Sequence, residues 1–272
     1  TFWSINGPLD RTRCRGQLRH MRALGFAGAV FHPRFYPGQP AYLGREYLET
    51  LSAVVLDARD LGMAIWIYDE DGWPSGTVGG EMLQRHPELR QQWVGLYREP
   101  PDTGEVITTF ERSGQPWFVV RRDGPGVDYL NRALAGRFLE LTHERYRRGL
   151  SAEAFAHVEA FFCDEPEFGL GHAYDALSPE GAIPWSVDLP TRYAAKHGGD
   201  LRRVLPGGFF RDSGDVGDRV RFWEFLLEEF GDGFLSPMDR WCREHGKQFT
   251  AHIKGEEHPL FQVPMVGSCH GV

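Results

Sequence analysis

Blocks of basic residues and long apolar runs are both missing from this sequence. Its 272 residues include 30 Lys and Arg against 38 Asp and Glu, and the formal net charge is −8. Because the basic residues are scattered, the electrostatic footprint of a nucleic-acid-binding protein is absent. No apolar run approaches the roughly 18 residues of a membrane-spanning helix, and no cationic amphipathic stretch suggests a membrane surface. We therefore expect neither nucleic acid nor a membrane as partner. A neutral polymer or a small polar molecule fits this charge better than a polyanion.

Cysteine is also scarce. Four cysteines lie far apart and show no C-x-x-C spacing; they are Cys14, Cys163, Cys242 and Cys269. This pattern argues against a disulfide framework or a zinc site and predicts scattered, reduced thiols. The localisation stays open, and the lack of a recognisable signal peptide in this sequence slightly favours the cytoplasm. Nothing in the sequence indicates an oligomeric state.

What is present is an alternation of short apolar strands with amphipathic helices. Strands are predicted at 2–5, 28–32, 63–68, 157–163, 249–254 and 263–268, and helices at 13–25, 45–62, 131–149 and 218–245. This alternation predicts parallel strands joined by crossover helices. The length also suits a barrel, which takes about 250 residues. We therefore predict an α/β fold, a single (β/α)8 TIM-type barrel domain over residues 1–272, with about six of its strands recognisable.

Two segments interrupt this alternation. Residues 93–122 contain three short β segments separated by Pro-Asp-Thr-Gly and Ser-Gly-Gln-Pro turns, which predicts a small antiparallel insertion after the third strand. Residues 166–217 are rich in Gly, Pro and Asp and are predicted to form a long loop over the C-terminal face of the barrel. Within that loop, residues 189–197 are predicted to form a short helix.

Polar side chains collect at the carboxyl ends of the predicted strands. They are His32 and Arg34 at the second strand, Asp69, Glu70 and Trp73 at the third, Asp164 and Glu165 at the fourth, and His252 with Glu256 at the fifth. In parallel barrels this edge forms the active site. Strand-end acids suit glycoside hydrolysis, in which one carboxylic acid protonates the departing oxygen and a carboxylate activates water or attacks carbon.

The fourth and fifth predicted strands are expected to be neighbours, so Glu256 can reach the same cleft as Glu165. We predict that Glu165 is the general acid and that Glu256 is the second catalytic carboxylate. The predicted substrate-binding residues are His32, Arg34, Asp69, Glu70, Trp73, Asp164 and His252. No metal ligands are assigned by spacing.

Structural roles remain open for the same side chains. Glu165 could cap the start of a helix, and Glu256 could form a surface ion pair. Asp69 and Glu70 could instead hold the backbone amides of their own loop. His32 could be a buried histidine with a purely structural role.

Several runs resemble one family of enzymes. The runs Phe-Trp-Ser-Ile-Asn-Gly at 2–7, Phe-His-Pro-Arg at 31–34 and Ile-Tyr-Asp-Glu-Asp-Gly-Trp-Pro-Ser-Gly at 67–76 look like the barrel of large bacterial glycoside hydrolases. These are similar to the calcium-dependent α-L-rhamnosidases and their uncharacterised relatives. Asp-Glu-Pro at 164–166 resembles the fourth-strand motif of barrel glycosidases more widely, and Ala-His at 251–252 followed by Glu256 resembles a later segment of the family.

The resemblance covers nearly the whole chain and carries several expectations. It implies a carbohydrate substrate and an inverting, α-L-rhamnosidase-like hydrolysis. It also implies Ca²⁺, for which Asp69, Glu70 and Asp71 supply oxygen ligands of the right kind. Two other functions remain open: a non-catalytic carbohydrate-binding barrel or fragment without a complete catalytic pair, and a metal-dependent hydrolase or lyase that uses His32, His252 and an acid.

Overall fold

The computed structural model describes residues 1–169, 181–210 and 216–255. The protein is a mixed α/β chain with one parallel and one antiparallel sheet. It divides into two compact units. The first unit comprises Thr1–Arg85, Ala135–Pro166 and Ser236–His252, and the second comprises the described parts of His86–Leu134, Glu167–Leu235 and Ile253–Val272.

The elements follow one another along the chain. The strands are β1 (Phe2–Ser4), β2 (Gly28–His32), β3 (Ala64–Tyr68), β4 (Arg90–Tyr97), β5 (Glu105–Arg112), β6 (Gln115–Val127), β7 (Val158–Asp164), β8 (Ala182–Trp185) and β9 (Gln248–His252). The helices are α1 (Arg11–Ala23), α2 (Arg45–Asp60), α3 (Glu81–Arg85), α4 (Leu134–Leu141), α5 (His143–Gly149), α6 (Ala152–His157), α7 (Leu189–His197), α8 (Leu205–Phe209), α9 (Val216–Phe230) and α10 (Ser236–Glu244). Among the described helices, none is both long and apolar enough to cross a membrane.

The first unit contains the parallel sheet. Its strand order is β1-β2-β3-β7-β9, and every neighbouring pair is parallel. This confirms the parallel strands predicted near 28–32, 63–68, 157–163 and 249–254. The strand predicted at 263–268 lies outside the described residues.

One face of the parallel sheet packs against helix α2. The helix presents Leu51, Val55 and Ala58 at the spacing of one helical face, and all three have no exposed surface. They belong to the same core as Phe31 of β2 and Ile67 of β3, which are equally enclosed. Burial of each large side chain of this kind stabilises the fold by about 1.5–3 kcal/mol. The opposite face of the sheet lies outside this core.

The second unit contains the antiparallel sheet, in the order β5-β6-β4-β8. Strands β4, β5 and β6 form the insertion predicted at 93–122, and they extend beyond it to Arg90 and Val127. Strand β8 comes from the segment predicted as a long loop at 166–217, which also contains α7 and α8. Its four residues are too few to show an alternating pattern. Its Pro184 lacks a backbone N–H and is tolerated because β8 is an edge strand.

Two predicted helices are discontinuous. The helix predicted at 131–149 is divided into α4 and α5 at Thr142, a buried residue whose hydroxyl donates to the Phe138 carbonyl at 2.7 Å. The helix predicted at 218–245 is divided into α9 and α10 by a π-helical turn at Gly231–Leu235. Glycine lowers helix propensity, and Pro237 cannot donate a helical hydrogen bond, so the apolar periodicity alone overestimated the length of this helix.

The three cysteines within the described residues are free thiols, as predicted. Cys14, Cys163 and Cys242 are buried free thiols. Burial raises the pKa of Cys14 to about 11 and that of Cys242 to about 12, so both thiols are protonated at neutral pH and unreactive as nucleophiles. Cys269 lies outside the described residues.

Lys247 fastens the start of β7 to the helix that precedes it. Its ammonium group donates to the carbonyls of Phe155 at 2.6 Å and Val158 at 2.7 Å, and the side chain is almost fully buried. Replacement of Lys247 by methionine leaves these carbonyls without their charged donor. We expect the free energy of unfolding to fall by about 2–3 kcal/mol, as measured by denaturant unfolding. The exposed Lys196→Met change should cost less than about 0.5 kcal/mol, and an equal loss for both would contradict this role.

Candidate functional site

Four polar side chains share one face at the carboxyl edge of the parallel sheet. Asp164 is paired in register with His252, and Tyr68 is paired with Phe162, two residues before Asp164 on the same strand. Because alternate residues of a strand face the same side, Tyr68, Asp164 and His252 lie on one face, together with His32 of β2. This is the face opposite the α2 core. The sheet therefore brings together residues from four separate parts of the chain.

Asp164, Glu165 and His252 form the centre of this group. The Nδ1 atom of His252 lies 3.3 Å from Oδ1 of Asp164 and 3.6 Å from Oε1 of Glu165. The backbone N–H of Glu165 also donates to the His252 carbonyl at 2.8 Å, which joins the end of β7 to the end of β9. Two carboxyl groups and an imidazole at this separation can share a proton or coordinate a cation.

Tyr68 holds the aspartate of this group. Its hydroxyl lies 2.8 Å from Oδ2 of Asp164 and 2.9 Å from the carbonyl oxygen of Gly72. Burial raises the pKa of Tyr68, so its hydroxyl remains a proton donor. Sequence reasoning did not single out Tyr68. The available signal was its position as the last residue of β3, directly before a polar loop.

His32 packs against the ring of Tyr68. The two ring centroids are 3.7 Å apart and the planes are 25° from parallel. The imidazole is nearly enclosed, and burial lowers its pKa to about 4, so it is neutral at physiological pH. Its Nε2 atom has no hydrogen-bond partner among the described residues.

Glu70 organises the loop that follows β3. It has no exposed surface, and its two carboxyl oxygens accept hydrogen bonds of 2.7–2.9 Å from five backbone N–H groups, those of Asp71, Gly76, Thr77, Val78 and Gly79. Burial raises the pKa of Glu70 to about 7, and the amide donors oppose that shift because they favour the carboxylate. With both oxygens engaged, Glu70 has the loop-holding role left open by the sequence and presents no free oxygen to a substrate.

Asp69 is equally buried and lies beside a second enclosed histidine. Its Oδ1 atom accepts a 2.6 Å hydrogen bond from the Ser75 hydroxyl, and its Oδ2 atom is 4.0 Å from Nε2 of His143. Neither Oδ2 nor Nε2 has a hydrogen-bond partner among the described residues. Burial raises the pKa of Asp69 well above its usual range and lowers that of His143 to about 3. Asp69 is enclosed behind the shared face, and burial disfavours the charged form of both groups.

The neutral state of His143 has a consequence for stability. Between pH 6.5 and about 3 the unfolded chain binds a proton at this residue and the folded chain does not, so stability falls as the pH falls. His143→Phe keeps an aromatic ring against Phe161 and removes this proton uptake. We expect urea titrations of the variant to show a pH slope smaller by up to about 1.4 kcal/mol per pH unit in this window. The exposed His20→Gln variant is the control, and equal slopes for His143→Phe and wild type would refute a buried neutral imidazole.

Arg34 and Trp73 lie on the loops that follow β2 and β3. The Gly72 N–H donates to the Pro33 carbonyl at 3.3 Å and joins these loops next to both residues. Arg34 is exposed, and the Trp73 side chain is 43% exposed. An exposed indole and guanidinium at the edge of a sheet can stack on and donate to a polar ligand.

Metal binding is possible at one group among the described residues. Asp164, Glu165 and His252 each offer one ligand atom, and these atoms lie within 4.8 Å of one another. The imidazole nitrogen suits a transition metal better than Ca²⁺, which prefers oxygen. Two of the three residues suggested for calcium are poorly placed for it, since the oxygens of Glu70 accept hydrogen bonds from five N–H groups and the enclosed Asp69 accepts one from Ser75.

Of the predicted site residues, the sheet assembles Asp164, Glu165, His252 and His32 within one edge. Asp69 and Glu70 support that edge from inside. Glu256, the predicted second carboxylate, lies outside the described residues. No protein-family model and no curated protein sequence matches this chain.

Proposed function

We propose that this chain carries the catalytic region of a glycoside hydrolase and that Glu165 is its general acid. One observation carries the proposal: Asp164, Glu165 and His252 are close together at the carboxyl edge of a parallel sheet. That edge is where parallel α/β folds place their reacting groups. Glu165 is a partly exposed member of this group, whereas Asp164 is mostly buried and bonded to Tyr68.

The proposed reaction has two proton movements. The carboxylic acid of Glu165 gives its proton to the glycosidic oxygen as the bond from that oxygen to the anomeric carbon breaks. A second carboxylate, which we assign to Glu256, takes a proton from the water that attacks the opposite face of the sugar. Inversion requires about 6.5–9.5 Å between the two carboxyl groups to accommodate that water. The likeness to α-L-rhamnosidases makes an α-L-rhamnoside the first substrate to test.

We further propose that the parallel sheet belongs to a (β/α)8 barrel. The strand order β1-β2-β3-β7-β9 follows the chain order without reversal, as neighbouring strands of such a barrel do. A doubly wound sheet would reverse its order at a switch point. The sequential order therefore supports the barrel over the other common parallel architecture.

The test is hydrolysis of a panel of 4-nitrophenyl glycosides that includes the α-L-rhamnopyranoside. Release of 4-nitrophenol, with an NMR assignment of the first anomer formed, supports the proposal and reports inversion or retention. Sugar binding without hydrolysis would favour a non-catalytic carbohydrate-binding barrel instead.

The metal-ligand geometry of Asp164, Glu165 and His252 favours a metal-dependent hydrolase as the second candidate. Activity that disappears on chelation and returns with Zn²⁺ or Mn²⁺ would support that candidate over Glu165 acid catalysis.

A further inference from the structure

Ser75 connects the loop after β3 to the end of β7. Its hydroxyl donates to Oδ1 of Asp69 at 2.6 Å and accepts from the backbone N–H of Asp164 at 2.8 Å. Its own backbone N–H donates to the Asp164 carbonyl at 3.0 Å. Ser75 therefore holds both polar backbone groups of the residue that precedes Glu165. We propose that Ser75 is a positioning residue for Glu165, an inference that depends on the function proposed above.

The backbone at Glu165 requires such a restraint. Its φ angle is +45°, in the left-handed region that residues with a Cβ atom rarely adopt. A conformation of this kind persists only where surrounding contacts determine it. Two hydrogen bonds hold the peptide group between Asp164 and Glu165: the Ser75 N–H donates to its carbonyl, and its N–H donates to the His252 carbonyl. They fix the peptide plane that leads into Glu165, and so the position at which its side chain begins.

Ser75 is itself held in place. The next three residues along the chain each donate a backbone N–H to Oε2 of Glu70, which fixes the loop against the sheet. Ser75 and Asp69 have no exposed surface, so solvent water cannot readily substitute for a lost hydroxyl. A serine hydroxyl suits this position because it donates one hydrogen bond and accepts others. The buried pair of Asp69 and Ser75 thus acts on the reaction through Glu165 rather than by contact with substrate.

A displaced general acid has a characteristic kinetic effect. Alkyl glycosides need protonation of their poor leaving group, whereas 4-nitrophenyl glycosides need little. Loss of the Ser75 hydroxyl should therefore reduce turnover selectively on alkyl substrates and leave KM nearly unchanged. A merely structural serine would reduce both activities in proportion to the folded fraction.

The experiment compares Ser75→Ala with Ser52→Ala. Ser52 is a matched control, since its buried hydroxyl also donates to a carbonyl, that of Leu48, and accepts a distant backbone N–H, that of Ser151. The substrates are the 4-nitrophenyl and methyl α-L-rhamnopyranosides, or the corresponding pair of another sugar cleaved in the panel. For Ser75→Ala we expect about a 10²-fold loss of kcat on the methyl glycoside and a loss within about threefold on the 4-nitrophenyl glycoside. Ser52→Ala should leave the ratio of the two kcat values, methyl to 4-nitrophenyl glycoside, unchanged.

Ser75→Cys gives a second measurement if Ser75→Ala folds poorly. The thiol is a weaker donor and acceptor, so the same selectivity should appear with smaller magnitude. Equal losses on both substrates, or a crystal structure of either Ser75 variant with Glu165 unmoved, would overturn the positioning role. Glu165→Gln separates the two proposals: a selective loss in that variant without one in Ser75→Ala refutes only the inference about Ser75. No selective loss in Glu165→Gln refutes the general-acid role proposed for Glu165, and with it the inference about Ser75.

Discussion

Glu165→Gln is expected to abolish hydrolysis of alkyl glycosides while it spares much of the activity on 4-nitrophenyl glycosides. Glutamine has nearly the same shape as glutamic acid and can still lie near Nδ1 of His252. It cannot give a proton to the departing oxygen. General acid catalysis contributes about 10²–10⁴-fold, and that is the loss expected in kcat/KM for a substrate with a poor leaving group. Hydrolysis of both substrate classes should be measured on the same preparation.

A matched control for this change is available on β7, the strand that leads to Glu165. Glu159 is exposed near the amino end of β7, and Oε2 of its carboxyl group lies 3.4 Å from the indole nitrogen of Trp66. Glu159→Gln makes the same substitution a few residues away along the chain and should leave both activities unchanged. If Glu165→Gln lowers both activities equally, or neither, another residue is the acid. Asp164 would then be the next candidate, because it shares His252 with Glu165.

Glu256→Ala is expected to lower turnover by orders of magnitude on every substrate. A carboxylate that activates water is required whatever the leaving group, so 4-nitrophenyl glycosides gain no protection. Glu256 follows the last residue of β9 by a few positions, and β9 is the direct neighbour of β7 in the sheet. We expect a loss of about 10²–10⁴-fold in kcat, measured on the 4-nitrophenyl glycoside that wild type cleaves fastest.

The response to azide tests whether the reaction passes through a covalent glycosyl-enzyme intermediate. Azide should not restore the activity of Glu256→Ala by giving a glycosyl azide of retained configuration, since an inverting enzyme has no covalent intermediate. Glu257→Ala is the control. Consecutive side chains commonly point in different directions, so we expect only Glu256 to face the cleft and Glu257→Ala to keep its turnover. Normal turnover of Glu256→Ala would show that Glu256 is not the second catalytic carboxylate. A glycosyl azide of retained configuration would instead show a covalent intermediate on another residue, and therefore a retaining mechanism in which Glu256 is not the nucleophile.

Some of the site was predictable because its signals are local. The strands β2, β3, β7 and β9 each show a short apolar run followed by polar residues, and the carboxyl ends of parallel strands meet at one edge. Asp164 and His252 could therefore be expected to lie together from their positions alone. The helix α7 was likewise visible within a segment otherwise rich in glycine and proline.

Other parts depend on contacts between distant residues. Asp69 and Glu70 are adjacent acids at a strand end and looked like Asp164 and Glu165 in the sequence. The fold distinguishes them, since backbone N–H groups of the loop after β3 donate to Glu70 and the Ser75 hydroxyl of that loop donates to Asp69. Strand β8 was missed for a similar reason, because its partner β4 lies far away in sequence.

The sequence alone determined the alternation of strands and helices, the parallel direction of the strands in the first unit, and the concentration of acids at one edge. These follow from hydrophobic periodicity, which each segment carries within itself. Only the tertiary structure decided which acids are enclosed, which face the edge, and which side chains hold them. The contacts that hold them join residues far apart in the sequence: Tyr68 with Asp164, Ser75 with the Asp164 backbone, and His143 with Asp69. Burial and hydrogen-bond partners determine the charge state of a carboxyl group, and both are set when separate strands meet in the sheet.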